Sequence, residues 1–263
     1  MKLHYRIIGE GNPVLLLHGL FGMSDNLQSF GRQLAEKNHK VIIVDLRNHG
    51  QSPHDSAHSY QLMADDIVEL LQELNLSKVD IIGHSMGGKV VLKLLNAHAD
   101  KINKAVVIDI APWFYPIHHR EILDALLAID LTVIRTRKDA ERALAENIKD
   151  QGTLFFLLKN LYWAEPDQLA WRFNLQVLNQ HIELIGEETW PSKIISTPIL
   201  FVRGEKSNYI DPYRMNEILK WFPNAELAEI KNSGHWVHAE QPAALLEVVD
   251  GYISQRGVPQ RGV

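Results

Sequence analysis

The sequence predicts an α/β fold in which a mostly parallel central sheet is flanked by helices. Short runs of Val, Ile and Leu alternate with longer helical patterns through the first part of the chain. Runs that are apolar throughout are typical of strands buried on both faces, and intervening helices indicate parallel neighbours. The alternation stops at Trp113, gives way to helical periodicity as far as Trp190, and resumes at Thr197. The chain is therefore predicted to leave the sheet, form a helical insertion and return.

The segment before the insertion is predicted to contribute strands and helices in alternation. The apolar runs predict strands at Leu3–Ile8, Val14–Leu17, Val41–Asp45, Val79–Gly83 and Ala105–Asp109. Helical periodicity separates the later runs at Asn26–Asn38, Tyr60–Leu74 and Met86–Ala99. Ser59 is a suitable N-cap for the second of these helices, because its hydroxyl oxygen can accept a hydrogen bond from an early helical N–H.

The second part of the chain contains the insertion and the end of the sheet. No strand is predicted between Trp113 and Trp190, and the aromatic residues of that segment are expected to form an apolar roof. Strands are then predicted at Thr197–Gly204 and Ala225–Ile230, with helices at 212–222 and 242–253. We predict a core formed by 1–112 and 191–263 and a helical cap formed by 113–190. The polar C-terminal segment RGVPQRGV is expected to fray.

Composition argues against several classes of function. A formal net charge of −5 with 22% charged residues creates no basic surface, so no nucleic-acid partner is expected. The absence of cysteine excludes disulfides, thiolate metal sites and a cysteine nucleophile. No H-E-x-x-H motif is present, and no metal is expected. The longest apolar run, Val14–Met23, falls short of the roughly 20 residues of a membrane span. We expect a cytoplasmic protein, monomeric or a small homo-oligomer.

The segment GHSMG, Gly83–Gly87, follows a predicted strand and precedes a predicted helix. A sharp strand-to-helix turn strains the backbone at its tip, and flanking glycines give the room that exposes a serine hydroxyl there. Ser85 is therefore the candidate nucleophile. The plainer interpretation is a turn serine without a catalytic task.

A serine hydroxyl needs a base within hydrogen-bond distance before it can attack a carbonyl. The segment NSGHWVHAEQP places His235 in the loop between the last predicted strand and the last helix, from which an imidazole can reach the carboxyl edge of the sheet. His238 is the alternative, but it lies in a segment that leads into the helix. The order of serine before histidine also favours His235.

Acyl transfer requires two N–H donors directed at the developing oxyanion. The N–H of Met86, directly after the candidate nucleophile, supplies one. The loop HGLFG, which ends the strand Val14–Leu17, supplies the other. Leu20 is the preferred second donor and Phe21 is the alternative.

Several motifs together resemble the α/β-hydrolase fold, and most closely the YbfF-type esterases. These motifs are HGLFG, DLRNHGQSP, GHSMGGK, DIAP, WRFN and GHWVHAEQP. The resemblance covers nearly the whole chain. It implies an α/β-hydrolase fold with a helical cap inserted after the sixth strand, and a serine hydrolase that forms an acyl-enzyme without a metal or organic cofactor.

The third member of the expected Ser-His-Asp triad has two candidate positions. Most members of the wider fold carry the acid in a G-x-x-D loop after the strand that reads PILFVRG here, but this sequence has Ser207 at that place. Asp109 ends the strand that follows the nucleophile's helix, and the YbfF-type pattern has an aspartate there. Asp211, which could instead cap the helix beginning at Pro212, stays an alternative, as does a purely structural Asp109.

The resemblance implies a small-molecule substrate with a carboxylic ester, and acyl-CoA thioesters are a further option. Phe21, Trp113, Phe173 and Trp236 are the expected substrate-binding side chains, and the aromatic cap is expected to set acyl length. A peptidase, a C–C hydrolase or a cofactor-free peroxidase could use the same triad, and a non-catalytic binding protein could keep the same pocket. A dehalogenase or epoxide hydrolase is excluded because position 85 is not aspartate.

Overall fold

The computed structural model describes residues 1–117 and 119–255, so the segment predicted to fray, 256–263, lies outside the described residues. The strands, in chain order, are β1 (Tyr5–Ile8), β2 (Asn12–Leu17), β3 (His39–Val44), β4 (Val79–His84), β5 (Ile102–Ile108), β6 (Leu161–Glu165), β7 (Gln168–Trp171), β8 (Ile199–Gly204) and β9 (Ala225–Ile230). Seven of them form one sheet in the order β1-β3-β2-β4-β5-β8-β9. Strand β1 is antiparallel to β3, and the other neighbours are parallel. The mostly parallel sheet predicted from the apolar runs is confirmed.

Helices connect these strands and cover the sheet. They are α1 (Ser24–Ala35), α2 (Tyr60–Glu73), α3 (Met86–His98), α4 (Arg120–Leu127), α5 (Arg137–Ala145), α6 (Gln151–Leu158), α7 (Leu175–Gln180), α8 (Ile182–Ile185), α9 (Met215–Leu219), α10 (Val237–Glu240) and α11 (Pro242–Ser254), with 3-10 turns at Ala99–Lys101 and Pro212–Arg214. The predicted cap of α2 is confirmed, since the Ser59 hydroxyl oxygen accepts a hydrogen bond from the Leu62 N–H at 3.2 Å. The helix predicted at 212–222 is shorter and begins as a 3-10 turn.

The two faces of the sheet bury two separate apolar clusters. Successive side chains of a strand point to opposite faces. Val14 and Leu16 therefore pack with residues of α1 and α11, whereas Leu15 and Leu17 pack with residues of α2 and α3. All four are at most 1% exposed, so β2 is covered on both sides. This double coverage explains why the strand sequences are apolar throughout instead of alternating.

The insertion contains a β-hairpin, which corrects the prediction of helices alone between Trp113 and Trp190. Strands β6 and β7 pair antiparallel, with Leu161 opposite Trp171. Aromatic and aliphatic residues fit a strand as well as a helix, and the turn between the two strands is set by Asp167, which has a left-handed φ of 62°. The Arg172 guanidinium stacks on the ring of Tyr162, with its carbon 3.9 Å from the ring centroid, and this contact ties the end of one strand to the other.

The point at which the chain leaves the sheet also differs from the prediction. The insertion follows β5, which is the fifth strand of the described chain and not the sixth. The five strands predicted from the apolar runs before Trp113 are all present, so the difference concerns only the sixth-strand position that the resemblance implied. Among residues 1–117 and 119–255, no helix has both the length and the apolar character needed to cross a membrane. The cytoplasmic location stays a prediction.

Candidate active site

Ser85 lies at a sharp turn between β4 and α3. Its backbone has φ 53° and ψ −117°, which residues with a side chain rarely adopt. The Ser85 N–H donates to the Ile108 carbonyl at 2.9 Å, and the Gly88 N–H donates to the Ser85 carbonyl at 2.8 Å. Strand β4 and the start of α3 are so close that a Cβ on Gly83 would lie 2.3 Å from the Gly87 carbonyl oxygen. The backbone therefore has the strained geometry that exposes a hydroxyl at the tip of such a turn.

The structure brings Ser85, His235 and Asp109 into one chain of contacts. His235 Nε2 lies 3.1 Å from Ser85 Oγ, and His235 Nδ1 lies 2.8 Å from Asp109 Oδ2. The three residues follow β4, β9 and β5, whose carboxyl ends meet at one edge of the sheet. The ring of Tyr209 stacks on that of His235, with centroids 4.2 Å apart. In this arrangement the imidazole can take a proton from Ser85 while a carboxylate holds its orientation.

Asp109 is fully buried, and three donors surround its carboxylate. Oδ1 accepts a hydrogen bond from the Gly204 N–H at 3.0 Å. Oδ2 accepts from the Ser207 hydroxyl and faces His235 Nδ1. A buried carboxylate is costly unless it is hydrogen-bonded in this way. Ser207, which stands where the wider fold has its acid, thus donates to the aspartate found at the other position.

The two alternatives considered from the sequence have other partners. Asp211 Oδ1 accepts from the Tyr213 N–H at 2.9 Å and caps the 3-10 turn Pro212–Arg214. His238 packs edge-on against His84, with ring centroids 4.8 Å apart, and burial lowers the pKa of His238 to about 4. The geometry therefore favours Asp109 and His235 over Asp211 and His238.

Two residues that the sequence analysis did not single out hold the His235 loop. His84 Nε2 donates to the His235 carbonyl at 2.9 Å, and burial lowers the pKa of His84 well below its ordinary value, so its ring is neutral. Glu240 accepts from the Gly234 N–H at 2.9 Å and from the Trp236 N–H at 3.2 Å, one on each side of His235. His84 lies in the motif GHSMGGK and Glu240 in the motif GHWVHAEQP. The sequence of these motifs alone does not indicate their hydrogen-bond partners.

The loop after β2 carries Leu20 and Phe21 in a tight turn. The Gly22 N–H donates to the Gly19 carbonyl at 2.9 Å, and Phe21 has a left-handed φ of 57°. Asn160, which precedes β6, donates from Nδ2 to the Phe21 carbonyl at 2.8 Å. A residue of the insertion therefore supports the backbone of this loop in a conformation that is unfavourable for phenylalanine.

His18 connects the same loop to the strand beside it. Its Nδ1 donates to the Gly19 carbonyl at 2.8 Å, and its Nε2 accepts from the Leu46 N–H at 3.0 Å. Burial lowers the pKa of His18, so the neutral ring can donate at one nitrogen and accept at the other. His18 thus acts as a bridge between the loop after β2 and the segment after β3.

Met86 is the first residue of α3, where a helical N–H has no acceptor within the helix. Leu20 lines the space in front of Ser85 together with Gly19 and Phe21. The N–H groups of Leu20 and Met86 are therefore the candidates for two donors beside the Ser85 hydroxyl.

Comparison with known proteins agrees with this geometry. A family model described as the alpha/beta hydrolase fold matches residues 12–149. The chain belongs to the α/β-hydrolase fold family. It is 39% identical to "Esterase YbfF" of Escherichia coli (strain K12) over 261 residues, which cover 97% of this chain and 100% of the relative. The resemblance to the YbfF-type esterases read from the motifs is therefore confirmed.

One further relative and one solved structure are also similar to this chain over most of its length. It is 34% identical to "sn-1-specific diacylglycerol lipase ABHD11" of Mus musculus, over 92% of this chain and 80% of the relative. A solved structure titled "Marine microorganism esterase" matches with a TM-score of 0.91 and 38% identity, over 94% of this chain and 98% of that one. The similarity therefore extends through the insertion as well as the sheet.

Two cavities of this α/β-hydrolase fold meet at Ser85. The large cavity has a volume of about 220 Å³ and is lined mainly by Leu20, Phe21, Ile122, Phe156, Leu157, Trp236 and His235. The small cavity has a volume of about 20 Å³ and is lined mainly by Tyr60, Met86, Ile110, Tyr115, Ile182 and Ile185. Residues of the insertion contribute to both.

The four aromatic residues expected to bind substrate fall into two pairs. Phe21 and Trp236 line the large cavity. In the part of the chain that the structure describes, Trp113 and Phe173 line neither cavity. Trp113 lies under the guanidinium of Arg214, and Phe173 packs behind Phe21, with ring centroids 5.2 Å apart. Trp113 and Phe173 are thus in positions that support the walls of the site.

A row of buried histidines lies behind the loop after β2. The ring centroids of His18 and His49 are 5.1 Å apart, and those of His49 and His58 are 6.2 Å apart. Burial lowers the pKa of His58 to about 4, and that of His49 lies well below its ordinary value. Across residues 1–117 and 119–255, no group of three or more His, Asp or Glu side chains is arranged to hold a metal ion. These rings contribute to packing.

Lys89, on the first turn of α3, is buried and bonded to both ends of the insertion. Its Nζ donates to the Trp113 carbonyl at 3.0 Å and to the Glu187 carbonyl, and lies 4.9 Å from the centroid of the Tyr115 ring. Burial lowers the pKa of Lys89 to about 7. The helix that begins at the Ser85 turn thus also fixes the two segments through which the insertion joins the sheet.

Gly83→Ala should destabilise the protein, because its Cβ would meet backbone atoms that cannot move aside. We expect the free energy of unfolding to fall by about 1–3 kcal/mol, as for other overpacked sites. Gly251→Ala in α11 is the matched control, since its Cβ would meet nothing within 4 Å. That variant should gain about 1 kcal/mol from helix propensity. Urea unfolding of both variants measures the difference, and equal stability would contradict the close approach.

Lys89 should make stability depend on pH. The unfolded chain keeps the lysine proton up to about pH 10.4, whereas the folded chain loses it above about 7. Between these values the unfolded state binds more protons, so the free energy of unfolding should rise with pH through that window. Lys89→Met should lack this rise, and Lys93→Met on the same helix should keep it. Urea unfolding between about pH 7 and pH 10 tests this, and parallel curves for the parent and Lys89→Met would contradict it.

Proposed function

We propose that the chain is a serine hydrolase of carboxylic esters that works through Ser85, His235 and Asp109. The observation that carries the proposal is the continuous set of contacts from Ser85 Oγ to His235 Nε2 at 3.1 Å and from His235 Nδ1 to Asp109 Oδ2 at 2.8 Å. The ester substrate is supported by the relatives that are named as an esterase and a diacylglycerol lipase. The intact contacts speak against a binding protein without catalysis.

The first half of the reaction forms an acyl-enzyme. Ser85 Oγ attacks the acyl carbon while His235 Nε2 takes the hydroxyl proton. Asp109, fully buried beside the ring, stabilises the imidazolium that results. The N–H groups of Leu20 and Met86 donate to the oxyanion of the tetrahedral intermediate. As the intermediate collapses, the bond to the leaving oxygen breaks, and His235 gives that oxygen its proton.

The second half releases the acid and restores the enzyme. A water molecule takes the place of the alcohol, and His235 Nε2 removes its proton as it attacks the acyl carbon. The second tetrahedral intermediate uses the same two N–H donors. Ser85 Oγ then leaves and recovers its proton from His235. Side chains, the two backbone N–H groups and water supply every group that these steps use.

Two finer features belong to the same proposal. Residues 113–190 act as a cap over Ser85, since Ile122, Phe156 and Leu157 of that segment line the large cavity. Acyl-CoA thioesters would follow the same steps, with a thiolate as leaving group. Rates on an acyl-CoA and on an ester of the same acyl chain would decide between the two substrate classes.

Ser85→Ala should abolish ester hydrolysis while leaving the fold intact. Loss of a nucleophile in such a triad lowers kcat by about 10⁶-fold, so we expect a loss of at least about 10⁴-fold on p-nitrophenyl acetate. Ser77→Ala, at an exposed serine, is the control and should keep the parent rate. A fluorophosphonate should add covalently to the parent protein and not to Ser85→Ala, as read by mass spectrometry. Equal rates in Ser85→Ala and the parent would refute the nucleophile.

Asp109→Asn should lower kcat by about 10⁴-fold, because an amide cannot hold the reactive imidazole tautomer or stabilise its charge. Asp211→Asn is the matched control, since Asp211 accepts a hydrogen bond from the Tyr213 N–H at the surface and should leave kcat within about threefold. Steady-state kinetics with a melting curve for each variant separates catalysis from folding. The opposite ranking of the two variants would assign the acid to Asp211.

A further inference from the structure

The two cavities at Ser85 are unequal in size and in their relation to His235. His235 lines the large cavity, and in the described residues it does not line the small one. Of the two proposed oxyanion donors, Met86 lines the small cavity and Leu20 lines the large one. The two groups attached to the acyl carbon of a bound ester therefore face different surroundings.

The chemistry of ester cleavage assigns one group to each cavity. The leaving oxygen must lie within reach of His235 Nε2, because that nitrogen returns the proton taken from Ser85. The alcohol part of the ester therefore extends along the wall that contains His235. The acyl part must extend away from it, toward the small cavity, which His235 does not line in the described residues.

We propose that the small cavity is the acyl subsite and the large cavity is the alcohol subsite, so that the preferred substrates are acetate-sized esters of bulky apolar alcohols. This proposal rests on the proposed function. It names the substrate class from the shape of the site.

The small cavity has room for an acetyl methyl group and little more. Its volume of about 20 Å³ compares with the roughly 10–15 Å³ that a single water molecule needs. Ile110 and Ile182, both at most 4% exposed, form its walls. The Tyr60 hydroxyl donates to the Ile185 carbonyl at 2.8 Å, and this bond holds α8 against the core. This bond therefore ties one wall of the small cavity to the core.

The large cavity fits an apolar alcohol. Its volume of about 220 Å³ is about ten times that of the small cavity. Phe156 and Leu157 of α6 line it together with Phe21 and Trp236, and Thr153 supplies a hydroxyl. The rings of Phe156 and Trp236 lie with centroids 4.4 Å apart and close one side. A charged alcohol would lose its hydration in these surroundings and would meet mainly apolar side chains.

Two substrate series test the assignment on the parent protein. The acyl series keeps p-nitrophenol as leaving group and compares acetate, butyrate and octanoate. The alcohol series keeps the acetyl group and compares methyl with hexyl acetate. We expect kcat/KM to fall at least tenfold from acetate to octanoate and to rise at least tenfold from methyl to hexyl acetate. A preference for octanoate over acetate would overturn the assignment.

A pair of variants provides the crossed test. Ile182→Ala should raise the octanoate-to-acetate ratio of kcat/KM at least tenfold and leave the hexyl-to-methyl ratio unchanged. If the alanine variant does not fold, Ile182→Val should give a smaller change in the same direction. Leu157→Ala should alter the hexyl-to-methyl ratio and leave the acyl ratio unchanged. If Leu157→Ala instead relieved the discrimination against octanoate, the two subsites would be reversed and the proposal wrong.

The failure of the proposed function would look different. In that case the parent protein would hydrolyse no ester of either series and would form no adduct with the fluorophosphonate. An adduct at Ser85 together with equal rates across both series would keep the hydrolase and overturn the subsite assignment alone.

Discussion

Asp109 carries a carboxylate without solvent contact at the edge of the sheet. Such a group is stable only when hydrogen-bond donors surround it. The Gly204 N–H meets one oxygen, so the end of β8 must lie beside the end of β5. The Ser207 hydroxyl and His235 Nδ1 face the other oxygen, which draws in the loops after β8 and β9. Since His235 in turn contacts Ser85, the position of one buried carboxylate determines how the ends of β5, β8 and β9 converge on the turn at Ser85.

The helix that follows the turn extends this order into the insertion. Lys89 is one turn from Ser85 and holds two backbone carbonyls at the ends of the inserted segment. Burying a lysine is costly, and its two acceptors with the Tyr115 ring offset that cost locally. The same short stretch of sequence, GHSMGGK, therefore shapes the backbone at Ser85 and holds both ends of the inserted segment.

The sequence allowed the sheet and the three central side chains to be predicted, because each depends on a local pattern. Apolar runs such as Val41–Asp45 indicate buried strands, and the carboxyl ends of parallel strands share one edge, so Ser85, Asp109 and His235 could be expected to meet. The hairpin β6–β7 was missed, since its aromatic residues suit either a helix or a strand. The motifs did not distinguish Trp113 and Phe173, which line neither cavity in the described residues, from Phe21 and Trp236, which line the large one. Which ring lines the cavity, like the partners of His84 and Glu240, depends on long-range packing.

The hydrogen bond from Asn160 to the Phe21 carbonyl has a consequence for how such proteins can diversify. The donor belongs to the insertion, whereas the acceptor belongs to the loop that carries Leu20 beside Ser85. Replacing the insertion by one of another sequence would remove the support for a left-handed phenylalanine backbone. The insertion is therefore not an interchangeable module. A graft that changes substrate range would need to bring its own amide to the same carbonyl, or be accompanied by a glycine at position 21.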